Sequence, residues 1–265
     1  MSNNQHYWVN RESRALQAQQ HTLEMGHRFP KAIEECIKKT RQYGPNFKNY
    51  EDIRMPVEIT VVDQDSVTAV LNHKADNKIA VLNFASYKNP GGAFLAGSKA
   101  QEECLCHESF LYNVLSKKMD YYEWNNMNKN KALYLNRALY SPNVRFERGE
   151  NVAFCDVLTC AAPNKSAAQK YQSVTDEDNL SVLRDRIHFM LDVAKDNKVD
   201  TLVLGAWGCG VFGQDAKEVA EAFKEALETT HACFKTVVFA VPASDRDNNL
   251  EIFQEVFSQK RQLQK

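Results

Sequence analysis

The sequence is short of several things, and each shortage excludes a class of function. No apolar run approaches the roughly 18 residues needed to span a membrane, so no membrane partner is expected. Neither sign of charge is in excess. The 33 Lys and Arg against 34 Asp and Glu leave a formal net charge of -1, so there is no overall basic field for direct nucleic-acid binding. The N-terminal Met1-Ser-Asn-Asn-Gln-His has no secretory h-region. There is no internal repeat and no low-complexity tract. The seven cysteines, Cys36, Cys104, Cys106, Cys155, Cys160, Cys209 and Cys233, are odd in number and irregularly spaced, and none forms a CxxC. That pattern fits free thiols in a reducing cytosol, hence a cytoplasmic protein, and not a disulfide framework. Cys104-x-Cys106-His107 resembles a metal cluster on paper. On a helix, positions two apart point roughly 200° from each other, so they cannot share an ion while the helix persists. No metal and no cofactor are expected.

What is present is ordinary in bulk. The chain has 265 residues, 43% hydrophobic and 25% charged, which suits one large domain or one domain with an extension. Residues 1–50 read as a helical N-terminal extension. Arg11 to Tyr43 is rich in Gln, Glu, Lys and Ala, Phe29-Pro30 divides it into two helices, and Gly44-Pro45 ends it. Residues 51–265 read as the main domain. Strands are expected at Val57–Val62, Lys78–Ala85, Asn151–Ala161, Thr201–Trp207 and Lys235–Val241. Helices are expected at Asp65–His73, Gln101 to about Lys118, Leu180–Asp196, Asp215–Leu227 and Asn248 to about Gln259. Between them, Tyr121 to Arg148 reads as irregular, with short strands at Ala132–Asn136 and Val144–Glu147, and Asn164–Glu177 as a polar loop. Strands alternating with helices imply an α/β fold, with a largely parallel sheet covered by helices. In such sheets ligands bind where strand C-terminal ends meet loops.

Two glycine loops occupy that position. The first, Asn89-Pro-Gly-Gly-Ala93, follows the Lys78–Ala85 strand and leads to Gln101-Glu102-Glu103 at a helix start. Glycine lets a ligand approach the backbone, and a carboxylate beside such a loop is a candidate acid or base. At about 100° per residue along a helix, Glu103 shares a stripe with Phe110 and Val114, and Glu102 with Ser109 and Asn113. Glu103 is therefore expected against apolar surface, with a raised pKa and a proton to give. Glu102 is expected nearer water, ionised, and accepting hydrogen bonds from ligand hydroxyls. The second loop, Gly208-Cys-Gly-Val-Phe-Gly213, matches G-x-G-x-x-G. It lies too late in the chain for a nicotinamide fold, and Glu228 is badly placed for a ribose. No Lys-Ser or Lys-Thr follows, as a Walker loop would need. Exposed amides at a helix N-terminus remain, and those suit a phosphate or diphosphate. The two loops together suggest a sugar attached to a diphosphate, cleaved by protonation of its leaving oxygen.

At these residues the chain resembles the microbial-type poly(ADP-ribose) glycohydrolases, which are built on a macrodomain. That family carries a triple glycine, six to eight residues, then Gln-Glu-Glu. Here the pattern is Gly91-Gly92-Ala93, seven residues, then Gln101-Glu102-Glu103. Leu82-Asn-Phe-Ala-Ser86 and Gly208-Cys-Gly-Val-Phe-Gly213 also look like the family. The resemblance implies a three-layer α/β/α macrodomain with a mixed, mostly parallel sheet. It implies Glu103 as the acid at the distal ribose, with Glu102 and Gln101 holding hydroxyls and that acid. It implies Gly91, Gly92, Ala93, Gly208, Cys209, Gly210 and Val211 along ribose and diphosphate, Phe212 pressed on the distal ribose, and Asn83 and Asn89 lining its pocket. Asp65 is either an adenine acceptor or a helix N-cap. Ala93 departs from the family glycine; if that position needs positive φ, alanine is disfavoured there by roughly 1 kcal/mol or more.

The expected activity is release of ADP-ribose, by a monomer, from poly(ADP-ribose) or an ADP-ribosylated protein. One alternative is a macrodomain that binds ADP-ribose without cleaving it. Another is a cysteine hydrolase using Cys104 or Cys209 with His107.

Overall fold

The computed structural model describes residues 10–51 and 54–258. The Met1–His6 segment and the expected end of the last helix near Gln259 lie outside the described residues. The elements run α1 (Arg11–Arg28), α2 (Pro30–Lys39), β1 (Arg41–Tyr43), β2 (Glu58–Val62), α3 (Ser66–Asn72), β3 (Ile79–Phe84), α4 (Gln101–His107), α5 (Leu111–Leu115), α6 (Met119–Met127), β4 (Ala138–Arg148), β5 (Asn151–Cys160), α7 (Lys165–Gln172), α8 (Asp176–Asp196), β6 (Thr201–Leu204), α9 (Ala216–Thr229), β7 (Thr236–Ala240) and α10 (Asn249–Ser258).

The strands form one sheet in the order β1-β4-β5-β3-β6-β7-β2. β1/β4 and β4/β5 are antiparallel, and the four remaining neighbour pairs are parallel. Period-two alternation sends β3 side chains to two cores. Ala80 and Leu82 join α8, α9 and α10 on one face. Ile79 and Val81 join α1 to α6 on the other. The result is a three-layer α/β/α sandwich. Local chemistry starts two helices where expected, with Asp65 capping α3 and Asp215 capping α9; α8, expected from Leu180, begins earlier at Asp176, where Thr175 and Asp178 form a capping box.

Four expectations are corrected. The helix from Gln101 stops at His107. Ser109 Oγ donates to Leu105 O and accepts from Leu111 N, and the backbone there pairs with β4 at Phe146, so a side chain and a strand edge displace the helical ladder. The region 121–148 holds a helix, α6, and an 11-residue β4; 132–136 is not a strand. Pro142 falls in the register shift between Ser141 and Val144, where a sheet tolerates proline. The expected loop at 164–177 contains α7, capped by Asn164 Oδ1 accepting from Ala167 N at 3.0 Å. Arg41–Tyr43, read as helical, is an edge strand.

The segment before residue 50 therefore contributes a strand to the sheet and two helices to one layer. α1 also grips the loop that precedes the acid pair. Arg11 Nε donates to Ala96 O at 2.8 Å and Arg14 Nε to Gly97 O at 2.7 Å. Gly97 has φ +75°, and a Cβ there would run into the carbonyl of Arg11. Gly97→Ala is expected to lose roughly 2 kcal/mol or more, from left-handed backbone strain plus displacement of α1, read as a lower midpoint in urea unfolding.

Candidate active site

The two glycine loops leave the C-terminal ends of β3 and β6, which are neighbours in the sheet. They open on one cleft of about 800 Å³, lined by Phe84–Lys88, Gly92, Ser98–Leu105, Gly208, Gly210–Phe212 and Ala240–Ser244, among others.

The first loop is built around the acids. Gly91 and Gly92 have φ +66° and +62°, conformations that favour glycine. A Cβ on Gly92 would lie 2.5 Å from Glu103 Oε1 and 3.1 Å from Glu102 Oε2. Bare backbone thus lets the carboxyls come close. Both acids are buried, Glu102 at 3% exposure and Glu103 at 6%. Glu102 Oε2 accepts from the Ser86 amide at 2.7 Å, and its Oε1 from Asn83 Nδ2 at 3.2 Å. Glu103 Oε1 accepts from the Ala93 amide at 2.9 Å. Its Oε2 is buried and has no hydrogen-bond partner among the described residues.

The expected contrast between the acids is corrected. Glu102 does not lie nearer water. A stripe reaching Val114 requires one continuous helix, whereas α4 ends at His107. Burial pushes the Glu102 carboxyl up to about 8; the charge of Glu103 adds to this, and the Ser86 and Asn83 hydrogen bonds oppose it. The concern over Ala93 is also resolved. Its φ is -111°, so the position needs no glycine, and alanine is unstrained there.

Gln101 lines the cleft, but its amide serves the fold. Oε1 accepts from Phe84 N at 2.9 Å, and Nε2 donates to Leu82 O at 2.9 Å and Ser66 Oγ at 3.0 Å. Asn83 is fully buried beneath Glu102 and also donates to Thr159 Oγ1. Asn89 is exposed; its carbonyl accepts from the Gly92 amide in the turn. Neither asparagine is among the residues lining the cleft, nor is Gly91, whose Cβ position faces Tyr112.

In the second loop Gly208 has φ +81°. Gln214 N donates to Gly208 O at 3.0 Å, Gly213 N to Gly210 O at 3.0 Å, and Ser166 N to Phe212 O at 3.0 Å. These bonds fix the loop while the amides of Gly210, Val211 and Phe212 carry no hydrogen bond among the described residues. Val211 is 86% exposed. Unsatisfied amides beside a cleft suit an anion.

Asp65 lies at the far end and acts as the N-cap of α3, accepting from Val67 N and Thr68 N. It also takes two hydrogen bonds from Arg148, at 2.9 and 3.0 Å. Burial opposes its charge, but the Arg148 and Thr68 hydrogen bonds outweigh it and hold the carboxyl at about 2.

The cysteine reading loses support. Burial pushes Cys104 and Cys209 up to about 12, which suppresses the thiolate. His107 is buried edge-on against Phe94 at 4.6 Å, and burial lowers it to about 4. Sequence reasoning missed Tyr87, Tyr134 and Asn164 in the cleft wall. Tyr87 carried a signal in its adjacency to the first motif; Tyr134 carried none.

Two outcomes are expected. Unfolded Glu102 ionises near 4.5 and folded Glu102 near 8, so the folded state keeps a proton that the unfolded state has lost. Stability should fall as pH rises from about 5 to 8, and Glu102→Gln should flatten that slope in thermal melts. Ala93→Gly should leave turnover within about twofold, while Gly92→Ala, which displaces the acids, should lower it at least tenfold in the same hydrolysis assay.

Among solved structures, the poly(ADP-ribose) glycohydrolase of Thermomonospora curvata matches with a TM-score of 0.84, at 31% identity over 93% of this chain and 100% of that chain. The same enzyme bound to the inhibitor ADP-HPD matches at 0.81 and 31%, over 92% and 99%. The Deinococcus radiodurans enzyme in complex with ADP-ribose matches at 0.77 and 30%, over 86% and 98%. No curated protein sequence matches. The family model described as microbial-type PARG, catalytic domain, matches residues 10–149, which include α1, α2 and the acid loop. The chain belongs to the microbial-type poly(ADP-ribose) glycohydrolase family and is an ADP-ribosyl glycohydrolase.

Proposed function

We propose that this glycohydrolase binds the terminal ADP-ribose of poly(ADP-ribose) in the cleft and cleaves at its distal ribose with Glu103 as the general acid. The observation that carries this reading is the sharing of one cleft by a buried carboxyl pair and a loop of unsatisfied amides. The ligands held by the two relatives, ADP-ribose and ADP-HPD, support the ligand class. The amides of Gly210 to Phe212 suit the diphosphate, and Phe212 suits a stop for the distal ribose.

Of the two acids, Glu102 has both oxygens engaged, whereas Glu103 keeps Oε2 for the substrate. Burial makes a second charge at the pair costly, so a proton is retained there up to about pH 8 at Glu102. Glu103 takes up the proton held at the pair and passes it to the leaving oxygen as the bond from the distal C1″ breaks and its electron pair goes to that oxygen. Glu103, now a carboxylate, takes a proton from the water that attacks C1″, and the acid is restored. Glu102 steadies the loop through Ser86 and presents its carboxyl to the sugar. A role confined to binding would leave this buried acid without use. The seven free thiols support work in a reducing compartment.

Glu103→Gln keeps the side-chain shape and the Ala93 contact but cannot exchange the proton. Its turnover of poly(ADP-ribose) should fall at least 100-fold, with the Kd for ADP-ribose by calorimetry within about threefold of the parent. Turnover near the parent level would remove Glu103 from the role.

A further inference from the structure

One wall of the cleft contains a backbone segment in an unfavourable conformation. Asn130, Lys131, Ala132 and Tyr134 have φ of 42°, 52°, 66° and 63°. Left-handed backbone is disfavoured for L-residues, and for a bulky ring it is an outlier. Such geometry persists only where the surroundings over-determine it. Here Ala132 N and Tyr134 N both donate to Lys129 O, at 2.9 and 3.1 Å. Asn130 Nδ2 donates to Tyr134 O at 3.0 Å, Asn164 N to Ala132 O at 3.0 Å, and the buried Arg186 to Leu133 O at 3.2 Å.

The outcome is the placement of one ring. Tyr134 lies flat on Tyr87, with centroids 4.1 Å apart and planes 11° apart. It meets Phe212 edge-on at 6.1 Å and 61°. Tyr87 directly follows Ser86, whose amide holds Glu102. It is pinned in turn, because its hydroxyl donates to Asn128 O at 3.0 Å and its carbonyl accepts from Asn125 Nδ2 at 2.8 Å. Among the described residues no hydrogen bond joins 85–93 to 205–213. The aromatic stack bridges the two loops across that gap.

We propose that Tyr134 is a positioning residue, whose ring sets the distance between the acid loop and Phe212 and so holds the sugar against the acid loop. The proposal rests on the reading of the site given above. Ring edges and faces of this kind resist both approach and separation, and small misplacements of a bound reactant carry large rate penalties. Strained backbone at this point is then explained by what it presents.

The test uses the full chain with Tyr134→Phe, Tyr134→Leu, Tyr134→Gly and Tyr87→Leu, assayed on poly(ADP-ribose), with ADP-ribose titration and thermal melts. Tyr134→Phe keeps the ring and should stay within about twofold of the parent in kcat. Tyr134→Leu and Tyr134→Gly should each lose at least about tenfold in kcat, with KM and the ADP-ribose Kd within about threefold. Glycine relieves the left-handed backbone, so Tyr134→Gly should melt no lower than Tyr134→Leu and yet remain as slow. Tyr87→Leu should reproduce the kcat loss from the other side of the stack, which keeps the test open if a Tyr134 variant does not fold. Parent-like kcat in Tyr134→Leu, a loss confined to KM, or recovery of rate along with stability in Tyr134→Gly would each overturn the proposal. Glu103→Gln separates the two readings. Full turnover there, with Tyr134→Leu slow, rejects the acid and keeps the positioning role; the reverse result rejects the positioning role and keeps the acid.

Discussion

Two carboxyl groups buried side by side are the constraint to which the rest of the site answers. Moving a carboxylate out of water is costly unless hydrogen bonds replace its hydration. The chain meets this with two main-chain amides, from Ser86 and Ala93, and the Asn83 side chain. A Cβ on Gly92 would collide with the oxygen that the Ala93 amide holds, Glu103 Oε1, so this position is left bare. The residual penalty appears as the raised Glu102 carboxyl. One oxygen, Glu103 Oε2, is left without a partner by this network among the described residues.

The sheet makes the second half of the site possible. Because β3 and β6 are adjacent and parallel, the loops that follow them start from neighbouring points on the same edge. The acid loop and the amide loop therefore open on one cleft without a hinge or a second domain. The helices that begin the chain belong to the same arrangement. α1 holds the carbonyls of Ala96 and Gly97 from outside, and Ala18, Met25, Ile33 and Cys36 lie in the core that also contains Leu105 and Cys106 of the acid helix. The segment read as an extension thus forms part of the layer that supports the acids.

Much of this was legible in the chain. β3 and β7 are largely apolar runs, and the helices after β2 and β6 begin at the capping residues Asp65 and Asp215. Those signals are local, and local chemistry decides them. The errors share a different origin. α4 ends at His107 because Ser109 bonds to its own helix and β4 pairs with the backbone beside it; a partner some 40 residues away in sequence is invisible to a helical wheel. The unexpected burial of Glu102 alongside Glu103 goes with that misplaced helix end, because the stripe that set it nearer water ran past His107. Ala93 looked like a defect by comparison with a triple glycine, until its backbone angle located it outside the left-handed region.

By itself the sequence determined that an acid pair and two glycine loops follow strands, and in what order they meet the sheet, because strand period, glycine loops and helix caps act over a few residues. The tertiary structure alone decided which acid oxygen stays unpaired, how strongly Glu102 holds its proton, and that Tyr134 stands between Tyr87 and Phe212. Burial and ring contact depend on groups that the chain brings together only after it has folded.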